Sequence, residues 1–171
     1  QYERFILSQL LVMALKGVPA FYLPALLASE NDIKRFSMTG QRRDLNREKF
    51  KAENLLAVLN NPESNANKNL KYLRNAMDVR SKLKQFHPCS EMKCLSKGRS
   101  DIVVVKRGKG PDSVFAIHNM TENKINYQLN DNDLPKIIDN DFNTHDFLTS
   151  TKYNCKNISL DPFQVIWLSA L

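Results

Sequence analysis

Residues 17–27 read Gly-Val-Pro-Ala-Phe-Tyr-Leu-Pro-Ala-Leu-Leu, and this stretch decides the predicted fold. A short, nearly continuous apolar run that follows a helix is typical of a strand covered on both faces of a sheet. Pro19 and Pro24 cannot donate to a strand ladder, so they push the boundaries of the strand inward. We therefore predict a buried strand within Val18–Leu27.

An apolar stripe at helical spacing precedes this strand. It runs through residues 2–16 and stops at Gly17, a residue type that frequently ends helices. Two further helical patterns, Glu48–Leu59 and Ala66–Phe86, follow and are separated by a segment that contains Pro62. The succession of helix, buried strand and helix favours an α/β arrangement over a helical bundle.

The segment Ala28–Arg47, between the strand and the next helix, is rich in polar residues. A connection of this length is unusual inside a compact domain, and long loops often carry binding or catalytic residues. We therefore place the candidate site in this segment, which we call the site loop.

The second half of the chain changes to the two-residue period of strands. Turn residues separate four such runs: Ile102–Val105, Val114–Ile117, Ile125–Leu129 and Phe163–Leu168. The pattern predicts a small antiparallel β domain at residues 88–171, after a helix and strand region at residues 1–87.

Composition and charge limit the classes of partner. Hydrophobic residues at 42% and charged residues at 25% are ordinary for globular protein, and no apolar run is long enough to span a membrane. The net charge of +7 would suit an anionic partner, but the lysines and arginines are interleaved with acids or set at helical spacing. We therefore expect neither a nucleic acid nor a membrane as a partner.

The cysteines indicate a reducing environment. Cys89, Cys94 and Cys155 cannot all pair with one another, so structural thiols in the cytoplasm are the simplest interpretation. Cys89 and Cys94 with His87 resemble a metal site only weakly, because no second pair of ligands follows, and we expect no metal. The chain starts at Gln1 without a signal pattern, so we interpret it as part of a longer protein.

Three motifs in order resemble the eighth strand and its following loop in the sucrose phosphorylase group of the α-amylase superfamily. They are Gly17–Tyr22 (GVPAFY), Leu26–Asp32 (LLASEND) and Thr39–Arg47 (TGQRRDLNR). Arg80–Pro88 and Leu160–Leu168 resemble the end of the helical part and the closing strand. The group belongs to glycoside hydrolase family thirteen and includes phosphorylases of sucrose, sucrose 6-phosphate, glucosylglycerate and glucosylglycerol, among which the sequence does not choose.

The resemblance implies a fold that is α/β plus all-β. Its first part would be the last helix–strand–helix portion of a TIM (β/α)8 barrel, with the eighth strand at 18–27, the site loop at 28–47 and helices at 48–86. Its second part would be a C-terminal antiparallel β-sandwich domain at residues 88–171. In such barrels, ligands bind at the loops that follow the strands.

The resemblance also implies the chemistry of a retaining glycoside phosphorylase. Family members transfer an α-glucosyl unit from sucrose or a glucosylglycerate-type donor to phosphate, which gives glucose 1-phosphate. Their nucleophile, general acid and supporting carboxylate follow the fourth, fifth and seventh strands, upstream of Gln1. We therefore expect no catalytic residue here and no activity from the chain alone.

The expected partners are the sugar donor and inorganic phosphate. The mechanism needs no cofactor and no metal, since carboxylates and hydrogen bonds supply the electrostatic stabilisation. A homodimer of the full-length parent is left open.

Three substrate-binding candidates follow from the motif. Arg43 matches the family arginine that binds hydroxyls of the glucosyl unit, and a planar guanidinium suits vicinal hydroxyls or phosphate. Arg47 is the second candidate. Asp32 is the third, and it either holds the loop through backbone hydrogen bonds or contacts sugar. Asp44 and Asn46 are given structural roles, with Asp44 expected to bind Arg47 or to cap the next helix.

Two other functions stay open at this point. An α-glucosidase or amylase-like hydrolase shares this architecture and would act without phosphate. A carbohydrate-binding β module would instead present exposed aromatic side chains on one face. The candidates for such a face are Tyr127, Phe142, Phe147 and Tyr153.

Overall fold

A computed structural model describes residues 2–96, 98–130 and 143–169. Its helices are α1 (Tyr2–Ala14), α2 (Leu23–Leu26), α3 (Ile33–Thr39), α4 (Ala52–Asn60) and α5 (Asn65–Lys82). Its strands are β1 (Met92–Cys94), β2 (Ile102–Arg107), β3 (Val114–Asn119), β4 (Ile125–Tyr127), β5 (Asn143–His145), β6 (Lys152–Asn154), β7 (Ile158–Leu160) and β8 (Val165–Ser169). Short 3₁₀ helices lie at Arg42–Asn46, Lys84–Phe86 and Gly110–Asp112. Over the described ranges, none of the helices combines the length and the apolar character needed to cross a membrane.

The chain divides into two compact units. The first contains the residues up to Pro19 and from Ala76 onward, and the second contains Ala20–Asn75. Helix α1 and the end of α5 therefore group with the strands. The predicted division into family domains at residues 1–87 and 88–171 stays a prediction.

A four-stranded antiparallel sheet in the order β1-β2-β3-β8 forms the centre of the first unit. Strand β3 lies between β2 and β8, and all 6 of its residues are buried. A strand that is covered on both faces must offer apolar side chains to both, as the sequence Val-Phe-Ala-Ile of β3 does.

One face of this sheet carries the main hydrophobic cluster. The register pairs Val104 with Ile117, and Ile117 with Ile166, so these side chains share a face. Strand β7, which pairs with β4, adds Ile158 and Leu160 to the same cluster. All five side chains are fully buried, and burial of each stabilises the unit by about 1.5–3 kcal/mol.

Helix α1 covers the opposite face. Leu10 and Met13 of α1 are fully buried, and the buried His118 of β3 lies on this face of the sheet. The ring of Trp167 in β8 packs against Phe86, with 4.7 Å between the ring centroids. The apolar stripe predicted for residues 2–16 is therefore the surface that docks on the sheet.

Two arginines bind the C-terminal end of α1. The carbonyl groups at the end of a helix have no partner within the helix, and they carry a partial negative charge. Arg80 and Arg107 donate side-chain hydrogen bonds to four backbone oxygens at the helix end and just after it. The acceptors are Met13, Ala14, Leu15 and Gly17, at 2.7–3.0 Å. The helix end is thus fixed by side chains that lie far away in the sequence.

The strand predicted within Val18–Leu27 is wrong. Helix α2 occupies Leu23–Leu26, and Val18 and Tyr22 are exposed. A strand forms only where another strand pairs with it, and every described strand pairs within residues 92–169. Pro24 also favours the first turn of a helix, because its fixed φ fits that position.

The helices predicted after the site loop form, with shifted bounds. The predicted Glu48–Leu59 starts at Ala52, and the predicted Ala66–Phe86 ends at Lys82 before the 3₁₀ turn. The four predicted strand runs form as β2, β3, β4 and β8. The site loop is more structured than predicted, because it contains α3 and the 3₁₀ helix at Arg42–Asn46.

Candidate functional site

Helix α3 within the site loop is held at both ends by capping residues. A carboxylate oxygen of Asp32 accepts a hydrogen bond of 2.9 Å from the backbone N–H of Arg35, which is the geometry of an N-cap. Gly40 follows the helix in the left-handed conformation, with φ of 64°, and its N–H donates to the carbonyl of Phe36 at 2.8 Å. These two caps fix the length of a helix of 7 residues, which would be marginal without them.

The 3₁₀ helix at Arg42–Asn46 folds back on α3. The backbone N–H of Asp32 donates to the carbonyl of Leu45 at 2.7 Å, so the start of α3 is joined to the end of the 3₁₀ helix. The backbone N–H of Asp44 donates to the carbonyl of Gln41 at 2.9 Å. The site loop is therefore a closed, hydrogen-bonded unit.

The carboxylate of Asp44 lies inside this closed unit and is buried. One oxygen accepts a 2.7 Å hydrogen bond from the hydroxyl of Thr39, and the other lies 3.4 Å from Nε of Arg35. The second distance is that of an ion pair and is too long for a strong hydrogen bond. The hydrogen bond from Thr39, followed by the charge of Arg35, lowers the pKa of Asp44 below its ordinary value. Asp44 has the predicted structural role, but its observed partners are Thr39 and Arg35, whereas Arg47 or a helix cap was expected.

Arg43 and Arg47 are exposed on the same loop. Nε of Arg43 donates a hydrogen bond of 2.8 Å to the side-chain oxygen of Gln41. Among the described residues, none accepts a hydrogen bond from the terminal nitrogens of Arg43 or from the side chain of Arg47. Both guanidinium groups can therefore donate to an anion or to sugar hydroxyls.

The structure places the third candidate, Asp32, at the start of α3. Its carboxylate caps the helix, which is the loop-holding role among the two roles expected for it. Contact between Asp32 and sugar stays a prediction, as do the substrate roles of Arg43 and Arg47.

The predicted site loop contains Arg35, Thr39 and Gln41, but the sequence assigned no role to their side chains. The signal for α3 is the pair of capping residues, Asp32 and Gly40, with seven residues between them, since these residue types start and end helices. Only Ile33, Phe36 and Met38 between them are apolar, which is too few for a helical period to predict the helix.

Two pockets border the loop in the second unit. A pocket of about 390 Å³ is lined by Asp32, Lys34, Arg35, Met38 and Thr39. A second pocket, of about 410 Å³, has an apolar wall and a rim that includes Lys49 and Lys51. Of the three predicted substrate residues, only Asp32 lines either pocket.

The aromatic candidates that the structure describes in the β region do not form an exposed platform. Tyr127 and Tyr153 pack against the main hydrophobic cluster, and Phe147 is half-buried beside His145. Phe142, the fourth candidate, lies outside the described residues. Within the described ranges, no group of three or more His, Cys, Asp or Glu residues could hold a metal ion.

The fold is shared with enzymes of the α-amylase type. The α-amylase from Geobacillus thermoleovorans, solved with acarbose, superposes with a TM-score of 0.68 over 98% of this chain and 33% of that enzyme, at 17% identity. At this identity the likeness concerns the fold alone. The mixture of helices and antiparallel sheets is thus a fold that also occurs in part of an α-amylase-type enzyme.

The sequence relatives narrow this class. The chain is 31% identical over 119 residues to glucosylglycerate phosphorylase from Allomeiothermus silvanus. The aligned residues cover 70% of this chain and 21% of that protein. It is 21% identical over 165 residues to glucosylglycerate phosphorylase from Escherichia coli. Here the aligned residues cover 96% of this chain and 28% of that protein. No family model matches the chain. The chain spans between a fifth and a third of the length of these relatives, and it belongs to the sucrose and glucosylglycerate phosphorylase group of the α-amylase superfamily, as its motifs predicted.

Proposed function

We propose that this chain contributes part of the sugar and phosphate site of a retaining glycoside phosphorylase, which transfers an α-glucosyl unit to phosphate and yields glucose 1-phosphate. The observation that carries the proposal is the closed site loop, which holds Arg43 and Arg47 exposed while Asp32 and Asp44 are engaged within it. Rigid loops with free charged groups are the usual way in which a scaffold presents binding residues.

The donor that we propose is glucosylglycerate, with sucrose as the competing donor. The relatives of this chain are named glucosylglycerate phosphorylases. Glycerate and phosphate are both anions, and a guanidinium binds such groups through two parallel N–H bonds. We assign the glucosyl hydroxyls to Arg43 and an anionic group, either glycerate or phosphate, to Arg47.

We also propose the domain architecture of this chain and the cellular compartment of the parent protein. Residues 1–87 would correspond to the end of a (β/α)8 barrel, and residues 88–171 to a C-terminal β-sandwich domain. The reacting carboxylates would lie in another part of the parent protein, so the chain by itself would bind sugar weakly and turn over none. The three free thiols support a cytoplasmic location.

The test is the release of glucose 1-phosphate from glucosylglycerate and from sucrose, with and without phosphate, by the protein that carries this chain. Arg43→Ala should lower kcat/KM by about 100-fold, because a charged donor to the glucosyl unit is removed. Arg42→Ala is the matched control, since Arg42 is the neighbouring exposed arginine. It should change kcat/KM by less than about two-fold.

Two results would reject the phosphorylase assignment. Release of free glucose at a rate that does not depend on phosphate would identify a hydrolase instead. Sugar binding without turnover in the parent protein would identify a binding module. Equal activity of the two alanine variants would remove Arg43 from the site while leaving the reaction intact.

A further inference from the structure

We propose that Asp44, Thr39 and Gln41 act as positioning residues, through a chain of hydrogen bonds that ends on the guanidinium of Arg43. The inference rests on the proposed function, because Arg43 is the group that it positions. It assigns a role toward the substrate to three side chains that the motif did not mark as binding residues.

The first step is the contact between Asp44 and Thr39. The hydroxyl of Thr39 has one proton and two acceptors within reach, the carboxylate of Asp44 at 2.7 Å and the carbonyl of Arg35 at 3.1 Å. The carboxylate is closer and charged, so it is the stronger acceptor. The buried Asp44 therefore sets the direction of the Thr39 hydroxyl.

The second step leads from Thr39 to Gln41. Because the Thr39 hydroxyl donates its hydrogen bond to Asp44, its oxygen presents lone pairs to the backbone N–H of Gln41. The Gln41 nitrogen lies 3.3 Å from this oxygen. This contact holds the backbone just after Gly40, where the chain turns from α3 into the 3₁₀ helix.

The third step leads from Gln41 to Arg43. The side-chain oxygen of Gln41 accepts the Nε–H of Arg43 at 2.8 Å, and the carbonyl of Gln41 accepts the backbone N–H of Asp44 at 2.9 Å. Asp44, Thr39 and Gln41 are therefore joined in a closed ring of hydrogen bonds. The contact from Gln41 occupies Nε of Arg43 and leaves both of its terminal nitrogens for a ligand. An arginine whose Nε is held loses less freedom on binding than one that is free in solvent.

The kinetic test compares three variants of the protein that carries this chain. Thr39→Val keeps the shape but removes the hydroxyl, and it should lower kcat/KM for the glucosyl donor by about ten-fold. Thr39→Ser restores the hydroxyl and should stay within about two-fold of the wild type. Ser37→Ala is the control, because among the described residues the Ser37 hydroxyl bonds only the carbonyl of Ile33 on the same helix. A merely structural role would lower the melting temperature without this loss and rescue in kcat/KM.

A second measurement does not depend on activity. The Nε–H signal of Arg43 in a nitrogen-15 NMR spectrum should exchange slowly with water, and it should exchange several-fold faster in Thr39→Val and in Gln41→Ala but not in Ser37→Ala. The Nε–H of Arg42 provides the internal reference. If the wild type shows no phosphorolysis but this exchange pattern holds, the proposed function fails and the positioning network stands.

The network is refuted if the Arg43 signal exchanges at the same rate in all variants, whatever the activity. It is equally refuted if Thr39→Val and Thr39→Ser lose the same activity, because the hydroxyl would then carry no role. A ten-fold loss in Thr39→Val alone, with faster exchange at Arg43, supports it.

Discussion

Nη1 of Arg107 donates a hydrogen bond of 2.7 Å to the carbonyl oxygen of Leu15, a residue 92 positions earlier in the chain. Nη2 donates to the carbonyl of His87 at 2.9 Å, and the guanidinium carbon lies 5.5 Å from the centre of the Phe86 ring. Burial, and then the nearby charge of Arg80, lower the pKa of Arg107 from its ordinary value. The cost of burying this cation is offset by its hydrogen bonds to the carbonyl groups of Ala14, Leu15 and His87.

Removing this guanidinium should destabilise the first unit. Arg107→Met keeps the apolar stem but leaves buried carbonyl oxygens without donors, so we expect a loss of about 3 kcal/mol in the free energy of unfolding. Trp167 is the one tryptophan of the chain, and it packs against Phe86. Its fluorescence during a urea titration therefore reports the free energy of unfolding of this unit. The exposed Lys152 supplies the control variant Lys152→Met. A change below 0.5 kcal/mol for Arg107→Met would contradict the expectation, since that is the usual scatter of surface substitutions.

Acid should destabilise the first unit through His118. Its side chain is fully buried, Nδ1 lies 3.3 Å from the carbonyl of Val103, and burial lowers its pKa from 6.5 to about 4. Between pH 6.5 and 4 the unfolded chain binds a proton that the folded chain does not. Stability due to this group is therefore present above pH 6.5 and falls by about 1.4 kcal/mol per pH unit as the pH drops toward 4.

The measurement is the pH dependence of unfolding for the wild type and for His118→Leu. The variant should lose this slope between pH 6.5 and 4, even where its stability at neutral pH also changes. His145→Gln, at an exposed histidine, should keep the slope of the wild type. Identical slopes in all three proteins would show that His118 is protonated in the folded state.

Loss of the N-cap at Asp32 should loosen the site loop. Asp32→Ala removes the acceptor for the N–H of Arg35 and should cost about 1 kcal/mol of local stability, whereas Asp32→Ser retains a capping oxygen and should cost less. Hydrogen exchange at the N–H groups of Arg35 and Gly40 reports the opening of α3. Unchanged exchange in Asp32→Ala would mean that the contact with Leu45 holds the helix without the cap.

The three cysteines should differ sharply in reactivity. Cys155 is fully buried and burial raises its pKa to about 11, while Cys89 and Cys94 are exposed. Since the thiolate is the reactive form, at pH 8 an alkylating reagent should label two cysteines quickly and Cys155 only after unfolding. Mass spectrometry of labelled peptides over time checks this. Equal labelling of all three would indicate that the β region opens readily.

Apolar runs between turn residues predicted the strands that are long enough to show them. β2, β3 and β8 each have at least five residues, and their consecutive apolar residues are visible in the sequence. Strand β4 has three residues but lies within a longer alternating stretch, Ile125–Leu129, so it was predicted as well. The strands β1, β5, β6 and β7 also have three residues each and lie in no predicted run, so no period could be recognised. Their formation depends on pairing partners, which are a property of the whole fold.

The strand predicted within Val18–Leu27 does not form, and the reason is again the need for a pairing partner. Its apolar composition is suited to burial, but composition does not supply a neighbouring strand. Polar residues and its length marked the site loop, and its role as a binding site stays a prediction. Contacts such as Thr39 to Asp44 could not be foreseen, because they depend on how Gly40 turns the chain.

The anchoring of α1 by Arg107 has a consequence for synthesis on the ribosome. The chain emerges from its N-terminus, so α1 leaves the exit tunnel well before Arg107 has been translated. At about 5–20 residues per second, the gap of 92 residues corresponds to a delay of about 5–20 seconds. During that time the apolar stripe of α1 has no sheet on which to dock, which makes α1 a natural client for a chaperone.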